Sequence, residues 1–330
     1  MKKIFVDGSA GTTGLRIFER LGKRDDVELI TIPDELRKDI DARCEAIESA
    51  DAAFLCLPDD AAREIVAKVK SDKVKILDTS TAHRTNEAWA YGFPELSPEF
   101  KKSICEKNRI AVPGCHASGF ISLVYPLVKA GVLPKDYPIV CYSVTGYSGG
   151  GKKMIAEYES DEKGEELFSP RQYGLSQNHK HLPEMKAICG LSDVPIFAPI
   201  VDDFYSGMVV SVPLFSKLLV GNPTAKEIHE IFENHYKGQK VVEVMPFGKE
   251  GFLGSNNLSG KDGLQIEVTG NDERILIASR FDNLGKGSSG AAIQCMNLAL
   301  GFVYAFYRYT WNSTYLFWIQ ANQFPTTPHS

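Results

Sequence analysis

A short apolar run, Lys3–Asp7, leads into Gly8-Ser9-Ala10-Gly11-Thr12-Thr13-Gly14, and that loop leads into a helical pattern carrying Leu15, Ile17, Phe18 and Leu21. Val27–Ile32 follows as a second apolar run. Strand, glycine loop, helix and strand in that order make the first unit of a dinucleotide-binding fold. The glycines let the backbone approach a pyrophosphate, and the helix start supplies free N–H groups and positive dipole. The spacing is G-x-x-G-x-x-G rather than G-x-G-x-x-G, so the flanking strand and helix carry the reading against a glycine turn with no ligand.

The alternation continues. Arg43–Ala50 reads as a helix, Ala52–Leu57 as a strand, Ala61–Lys70 as a helix, and Val74–Asp78 and Arg109–Val112 as strands. Strands alternating with helices predict a Rossmann-like, doubly wound parallel sheet. Asp34 stands about where an acid reads the ribose of NAD, yet Arg37 and Lys38 follow closely, as a 2′-phosphate would require. The choice between NAD and NADP stays open on these residues. Asp78–Arg84 leaves the C-terminal edge of the sheet, where ligands gather, and Arg84 is a candidate to hold an anionic group. A surface arginine paired with a carboxylate is the competing reading. Trp89–Phe100 is rich in turn formers and reads as irregular.

Val112-Pro113-Gly114-Cys115-His116-Ala117-Ser118-Gly119 brings a cysteine to the same edge, directly before the apolar run Phe120–Val128. A cysteine on a turn at a helix N-terminus is expected to be favoured as thiolate, the nucleophilic form. A buried structural cysteine is the plainer alternative.

Beyond the helix of Phe120–Gly131 the composition shifts. Ile139–Thr145, Val194–Ile200, Phe204–Leu214, Val241–Val244, Leu264–Thr269 and Arg274–Arg280 read as strands, and Thr224–Lys237 as a helix. They predict an α+β unit with a largely antiparallel mixed sheet, closed by a hairpin turn at Gly270–Glu273. Two further glycine loops, at 146–151 and 285–290, resemble anion-binding or hinge segments. Residues 154–178 read as a long surface segment. His179-Lys180-His181-Leu182-Pro183-Glu184 opens a helix with Pro183 in its first turn. Histidines two apart do not share a helix face, so a metal pair is not expected, and one histidine as acid/base is the sharper reading.

A net charge of -5 without a run of one sign argues against a nucleic-acid partner. The longest apolar runs are too short for a membrane span, and the start reads as a strand rather than a signal peptide. Seven irregularly spaced cysteines without a CxxC pair suggest free thiols in a reducing cytoplasm. Residues 301–330 differ from the rest: ten of the 34 aromatics fall there, and the last acidic residue is Asp282.

Over residues 1–300 this ordered set resembles the shorter form of the N-acetyl-γ-glutamyl-phosphate reductases, the third enzyme of arginine biosynthesis. The resemblance rests on Gly8–Gly14, Tyr91-Gly92-Phe93-Pro94-Glu95, Val112–Ala117, Gly146-Tyr147-Ser148-Gly149, His179–Glu184 and Asp282-Asn283-Leu284-Gly285-Lys286-Gly287. Aspartate-semialdehyde dehydrogenases share the architecture but favour an Asn-Cys pair where this chain has Gly114-Cys115.

The resemblance implies NADP(H) as cofactor and a reversible reaction, in which N-acetylglutamyl 5-phosphate and NADPH give the 5-semialdehyde, phosphate and NADP. It implies Cys115 as the nucleophile that forms a thioester and His179 as acid/base, with His181 and Glu184 placed to share its role or to bind substrate. Gly8, Ser9, Gly11, Thr12, Thr13 and Gly14 match the pyrophosphate loop, and Ser148, Gly149, Asn283 and Gly285 match positions near the nicotinamide. An anionic substrate needs cations, for which Arg84, Lys152 and Arg171 are candidates. The implied organisation is a cofactor domain at 1–116, a catalytic and dimerisation domain at 117–280, a returning helix at 281–300 and an atypical tail at 301–330, in a homo-oligomer (dimer or tetramer). An aspartate-semialdehyde dehydrogenase, or a regulator that keeps the fold and cofactor without the chemistry, would be the alternatives.

Overall fold

The apolar runs of the first third become one parallel sheet in the computed structural model, which describes residues 1–248 and 251–302. Its strands are β1 (Lys2–Asp7), β2 (Val27–Ile30), β3 (Ala52–Leu55), β4 (Lys75–Asp78), β5 (Ala90–Tyr91) and β6 (Arg109–Ala111). They lie in the order β2-β1-β3-β4-β6-β5, every pairing parallel. Parallel strands need crossover connections, supplied by α1 (Thr12–Leu21), α2 (Ile40–Glu48) and α3 (Asp59–Lys68), while α4 (Pro98–Glu106) joins β5 to β6. Because helices cover both faces, β3 is buried at every residue and reads as a continuous apolar run. The chain winds from β1 outward to β2, then returns to place β3 on the other side of β1. The β1/β3 junction is therefore the switch point, where the strand ends diverge and leave a crevice.

After β6 the chain enters α5 (Cys115–Lys129), a helix apolar on all sides and buried along most of its length. A helix of that kind belongs in a core. It lies against the second sheet, where Gly119 comes so close to the Val210 side chain that any Cβ would overlap it. The sheet comprises β7 (Val140–Gly146), β8 (Arg171–Gln172), β9 (Ile196–Asp202), β10 (Met208–Phe215), β11 (Val242–Val244), β12 (Leu264–Gly270) and β13 (Arg274–Phe281), in the order β11-β12-β13-β10-β7-β9-β8. Only β7/β9 and β11/β12 pair parallel, so the sheet is mixed and largely antiparallel. The remaining helices are α6 (Gly151–Tyr158), α7 (Leu182–Cys189), α8 (Ala225–His235) and α9 (Gly290–Ala299). Ala291, Ala292, Cys295 and Met296 of α9 join the core formed by Ile4, Val6, Ile17 and Phe54, so the end of the described chain packs on the first sheet.

Several local expectations are corrected. Trp89–Phe100 is not irregular throughout: Ala90 and Tyr91 pair with β6, and Ser97 caps α4 by accepting from the Phe100 N–H. Residues 154–178 are not a plain surface segment. Their aromatics make a small core in which Tyr158, Leu167 and Val201 are buried beside Tyr147 and Tyr173. The strand expected from Phe204 starts at Met208, because the Phe204 and Tyr205 carbonyls accept from Tyr147 and Ser148 N–H and fix the 146–150 loop instead. The glycine loop before α9 is a π-helical turn, Gly285–Ser289. The aromatic tail lies, from residue 303 onward, outside the described residues.

Candidate active site

The strand ends of the first sheet open on a cavity of about 510 Å³. Gly11–Gly14 follow β1, Cys56 and Leu57 follow β3, Thr79 follows β4, and Val112–His116 follow β6; all of them line it. The opposite wall comes from the second half of the chain: Ser148–Gly151, Tyr173, His179–His181 and Asn283.

The glycine loop has the geometry its sequence predicts. Gly8 has φ +81° and its carbonyl accepts from the Gly11 N–H at 2.9 Å. A Cβ on Gly14 would strike the Gly8 carbonyl, so the strand, loop and helix close-pack only with glycine there. Gly11 caps α1 without a side chain, leaving the first-turn amides directed at the cavity with no side-chain partner. That cradle fits the pyrophosphate of a dinucleotide. Gly8 and Ser9 shape the loop but do not line the cavity, and neither does Gly285, which packs on the Lys261 carbonyl. Asp34 sits in an exposed short turn and pairs with Arg37 at 2.8 Å.

Cys115 is the first residue of α5, half-buried in the cavity wall. Its N-cap is Gly114, which has no side chain to occupy the helix amides. The His116 N–H points at the sulfur and, with Arg84 and Lys180, draws the thiol pKa down, but burial outweighs them and pushes it up. Burial thus works against the thiolate that the helix start is expected to favour. Gly114 is constrained on its other side as well. A Cβ there would land on the His181 ring and the Arg84 guanidinium.

Arg84 is not free to meet a ligand with its whole fork. It is buried, donating from Nε to the Val112 carbonyl (2.9 Å), from Nη2 to the Thr79 carbonyl (2.8 Å) and from Nη1 to Glu184 Oε2 (3.0 Å). Glu184, on the first turn of α7, also accepts from Tyr91 Oη at 2.7 Å and from the Gly114 N–H at 3.0 Å. It is buried behind the cavity wall rather than lining it. Lys152 is exposed on α6 and lies outside the lining, and Arg171 donates to Tyr158 Oη.

His179 and His181 both face the cavity, with ring centroids 4.8 Å apart. They converge because they precede α7, so the helical spacing rule does not apply. The His181 N–H donates to His179 Nδ1 at 3.2 Å, which leaves His179 to carry its own proton on Nε2. Burial pushes the His179 pKa down to about 4, helped by the Lys180 charge. Burial, then Arg84, lowers His181 well below the ordinary histidine value.

The sequence did not single out His116 or Tyr173. His116 bonds Ser143 Oγ through Nδ1 (2.8 Å) and Tyr173 Oη through Nε2 (2.6 Å), and burial holds its pKa down to about 3. It thereby ties the first turn of α5 to β7 and to the cavity wall. Nothing local in the sequence announces Tyr173, which lies 57 residues away. Ser148 and Asn283 meet as the motifs suggest: Asn283 Nδ2 donates to Ser148 Oγ at 3.1 Å, and Asn283 Oδ1 accepts from the Gly207 N–H at 2.8 Å.

Two family models match the chain: "Semialdehyde dehydrogenase, NAD binding domain" over residues 34–104 and "Semialdehyde dehydrogenase, dimerisation domain" over residues 115–283. N-acetyl-gamma-glutamyl-phosphate reductase 2 of Nostoc sp. is 46% identical over 311 residues, covering 91% of this chain and 97% of that protein. The reductase of Brucella anthropi is 46% identical over 308 residues, covering 91% and 99%. Among solved structures, aspartate semialdehyde dehydrogenase II of Vibrio cholerae superposes with TM-score 0.69 at 16% identity, over 92% of this chain and 100% of that one. That likeness shows the fold. The matching domains, and relatives of this identity over nearly their whole length, place the chain in the semialdehyde dehydrogenase family, among the N-acetyl-γ-glutamyl-phosphate reductases.

Proposed function

We propose that the chain reduces N-acetylglutamyl 5-phosphate to N-acetylglutamate 5-semialdehyde with NADPH, releasing phosphate, through a thioester on Cys115. The observation that carries the reading is the meeting of the Gly11–Gly14 cradle, Cys115 and His179 in one cavity.

Cys115 attacks the acyl carbon, and phosphate leaves with its electron pair. Gly11–Gly14 would hold the cofactor's pyrophosphate, with Ser148, Gly149 and Asn283 toward its nicotinamide half, and when bound it would supply the hydride that reduces the thioester. The N–H groups at the start of α5 face the site where the oxyanion develops and stabilise it. Cys115 must lose its proton to attack, and His179, held neutral by burial, is the residue we assign to take it, through Nδ1, which gives up the bond from the His181 N–H to do so. His179 then returns a proton as the thiohemiacetal opens and the sulfur leaves. His181, deeper and beside Arg84, orients the turn in this reading, and Glu184 holds it. NADP rather than NAD is what the family resemblance implies; Asp34, Arg37 and Lys38 beyond β2 leave the choice open. The assignment of residues 1–116 to the cofactor and 117–280 to catalysis and assembly belongs to the same reading.

Val140, Tyr142, Ile196 and Phe215 lie exposed on one face of the second sheet, supporting a homodimer across it. Among the described residues no helix is long and apolar enough to cross a membrane. A cytoplasmic setting would keep the seven cysteines as the free thiols seen here.

Cys115→Ser tests the mechanism. It should abolish turnover with the acyl phosphate while NADPH still binds by fluorescence titration. Turnover equal to the parent would exclude the thioester. Activity with aspartate semialdehyde alone would exclude the substrate.

A further inference from the structure

The cavity lining holds two permanent cations, Arg84 and Lys180, and no carboxylate among the described residues. Arg84 is neutralised by Glu184 and held by two carbonyls. Lys286, nearby in the π-helical turn, is buried against Glu95. Lys180 is different. It is exposed to the cavity and makes no hydrogen bond or ion pair with another described residue. Its backbone is fixed between two cavity-facing histidines, by the bond from the His181 N–H to His179 Nδ1. Its charge is felt by the Cys115 thiol and, across the crevice, by Asp59 at the start of α3.

A phosphoryl group leaving the carbon that Cys115 attacks departs close to that sulfur. It departs with added negative charge, since the S–C bond forms as the C–O bond to the phosphoryl oxygen breaks and the electron pair goes with phosphate. Anionic charge drawn out of water needs a partner. The α1 amides are taken by the dinucleotide in the reading above. Arg84 is occupied. On that reading of the site, we propose that Lys180 is the phosphate-binding residue: its ammonium pairs with the departing phosphate in reduction and delivers inorganic phosphate to the thioester in the reverse direction. A lysine suits the task, being a point charge on a long flexible stem that follows a ligand as it leaves. It stabilises the charge and transfers no proton.

The reverse reaction isolates this role, because inorganic phosphate is then a substrate with a KM of its own. Lys180→Met is expected to raise the KM for phosphate about 10- to 100-fold, the loss of a hydrogen bond to a charged group. The KM for N-acetylglutamate 5-semialdehyde should stay within about twofold of the parent value if its carboxylate binds elsewhere. Lys180→Arg should recover most of the phosphate affinity. An unchanged phosphate KM in Lys180→Met overturns the proposal. So does a rise in the aldehyde KM in its place, which would put the ammonium on the substrate carboxylate, and so does an equal loss on both, which would mark a structural role. Oxidation of the aldehyde by the parent enzyme without any need of phosphate would overturn the proposed function itself, and Lys180's role with it.

Discussion

The Glu184 carboxylate accepts a hydrogen bond from the backbone N–H of Gly114 at 3.0 Å, so the first turn of α7 holds the turn from which Cys115 enters α5. The same oxygen takes the Tyr91 hydroxyl and the other takes Arg84. One buried carboxylate thus joins the ends of β5 and β6, the Arg84 loop and the histidine segment. Cys115 and the histidine segment are positioned by a common anchor.

Glu184→Gln keeps the shape but removes the charge, leaving Arg84 buried and unpaired. Breaking one side of a buried ion pair costs about 3–5 kcal/mol. Urea unfolding should show a loss of that order. Turnover should drop further than the KM for cofactor rises, because the glycine loop is untouched. Parent-like stability and kcat would show that the anchor is dispensable.

Gly114→Ala places a Cβ on the His181 ring and the Arg84 guanidinium. Neither is a free chain end: both are buried, and Arg84 is held by three hydrogen bonds. The turn must shift, and Cys115 with it. A fall in kcat of about 100-fold or more is expected, with NADPH binding nearly intact. A fully active alanine variant would mean the turn relaxes without moving the sulfur.

Acid should loosen the site before it unfolds the rest. The folded-state pKa values of His116 and His179 are depressed, to about 3 and about 4, and that of His181 is lowered too, all first by burial. The unfolded chain takes up protons below its ordinary histidine value of about 6.5 that the folded chain refuses. Stability is therefore fully present at neutral pH and declines as pH falls from about 6.5 toward 3. Urea midpoints at a series of pH values across that window should fall steadily. His116→Gln should flatten the decline, and a flat profile in the parent protein would contradict the buried neutral cluster.

Lys286 and Glu95 are 2% and 3% exposed and meet at 2.7 Å, pinning the π-helical turn to the loop after β5. A Cβ on Gly287 of that turn would lie 2.9 Å from Cys115 Cβ, so the turn backs Cys115 closely. Lys286→Met leaves the buried Glu95 carboxylate without a cation, with the Gln294 amide still donating to it, and should cost about 3–5 kcal/mol in urea unfolding. Adding Glu95→Leu should return much of that stability, though not the full kcat. A double variant no more stable than the single one would count against the ion pair as the cause.

Much of the frame could be read in the chain because it depends on near neighbours. A buried strand, a glycine loop and an amphipathic helix announce themselves within about ten residues each, since periodicity and backbone freedom are local properties. The parallel order of the first sheet follows from strand–helix alternation, and the place of Cys115 follows from a turn between a strand and a helix. The misreadings have equally local causes. Residues 154–178 look polar because their few buried aromatics are spaced by folding, not by period. The π-helical turn looks like an open loop because its glycines are there for close packing.

What the sequence by itself determined is the scaffold and the positions of its chemical groups: a dinucleotide cradle, a cysteine at a helix start and a histidine-bearing segment. Only the tertiary structure decided their partners. Glu184 reaches Gly114 across 70 residues, His116 reaches Tyr173 across 57, and Lys286 reaches Glu95 across 191. It also decided that Arg84 is a strut and that burial pushes the Cys115 thiol pKa up. Partners this distant are chosen by packing. Burial removes water as an alternative partner and makes each unpaired polar group costly, so the fold as a whole selects which groups must meet.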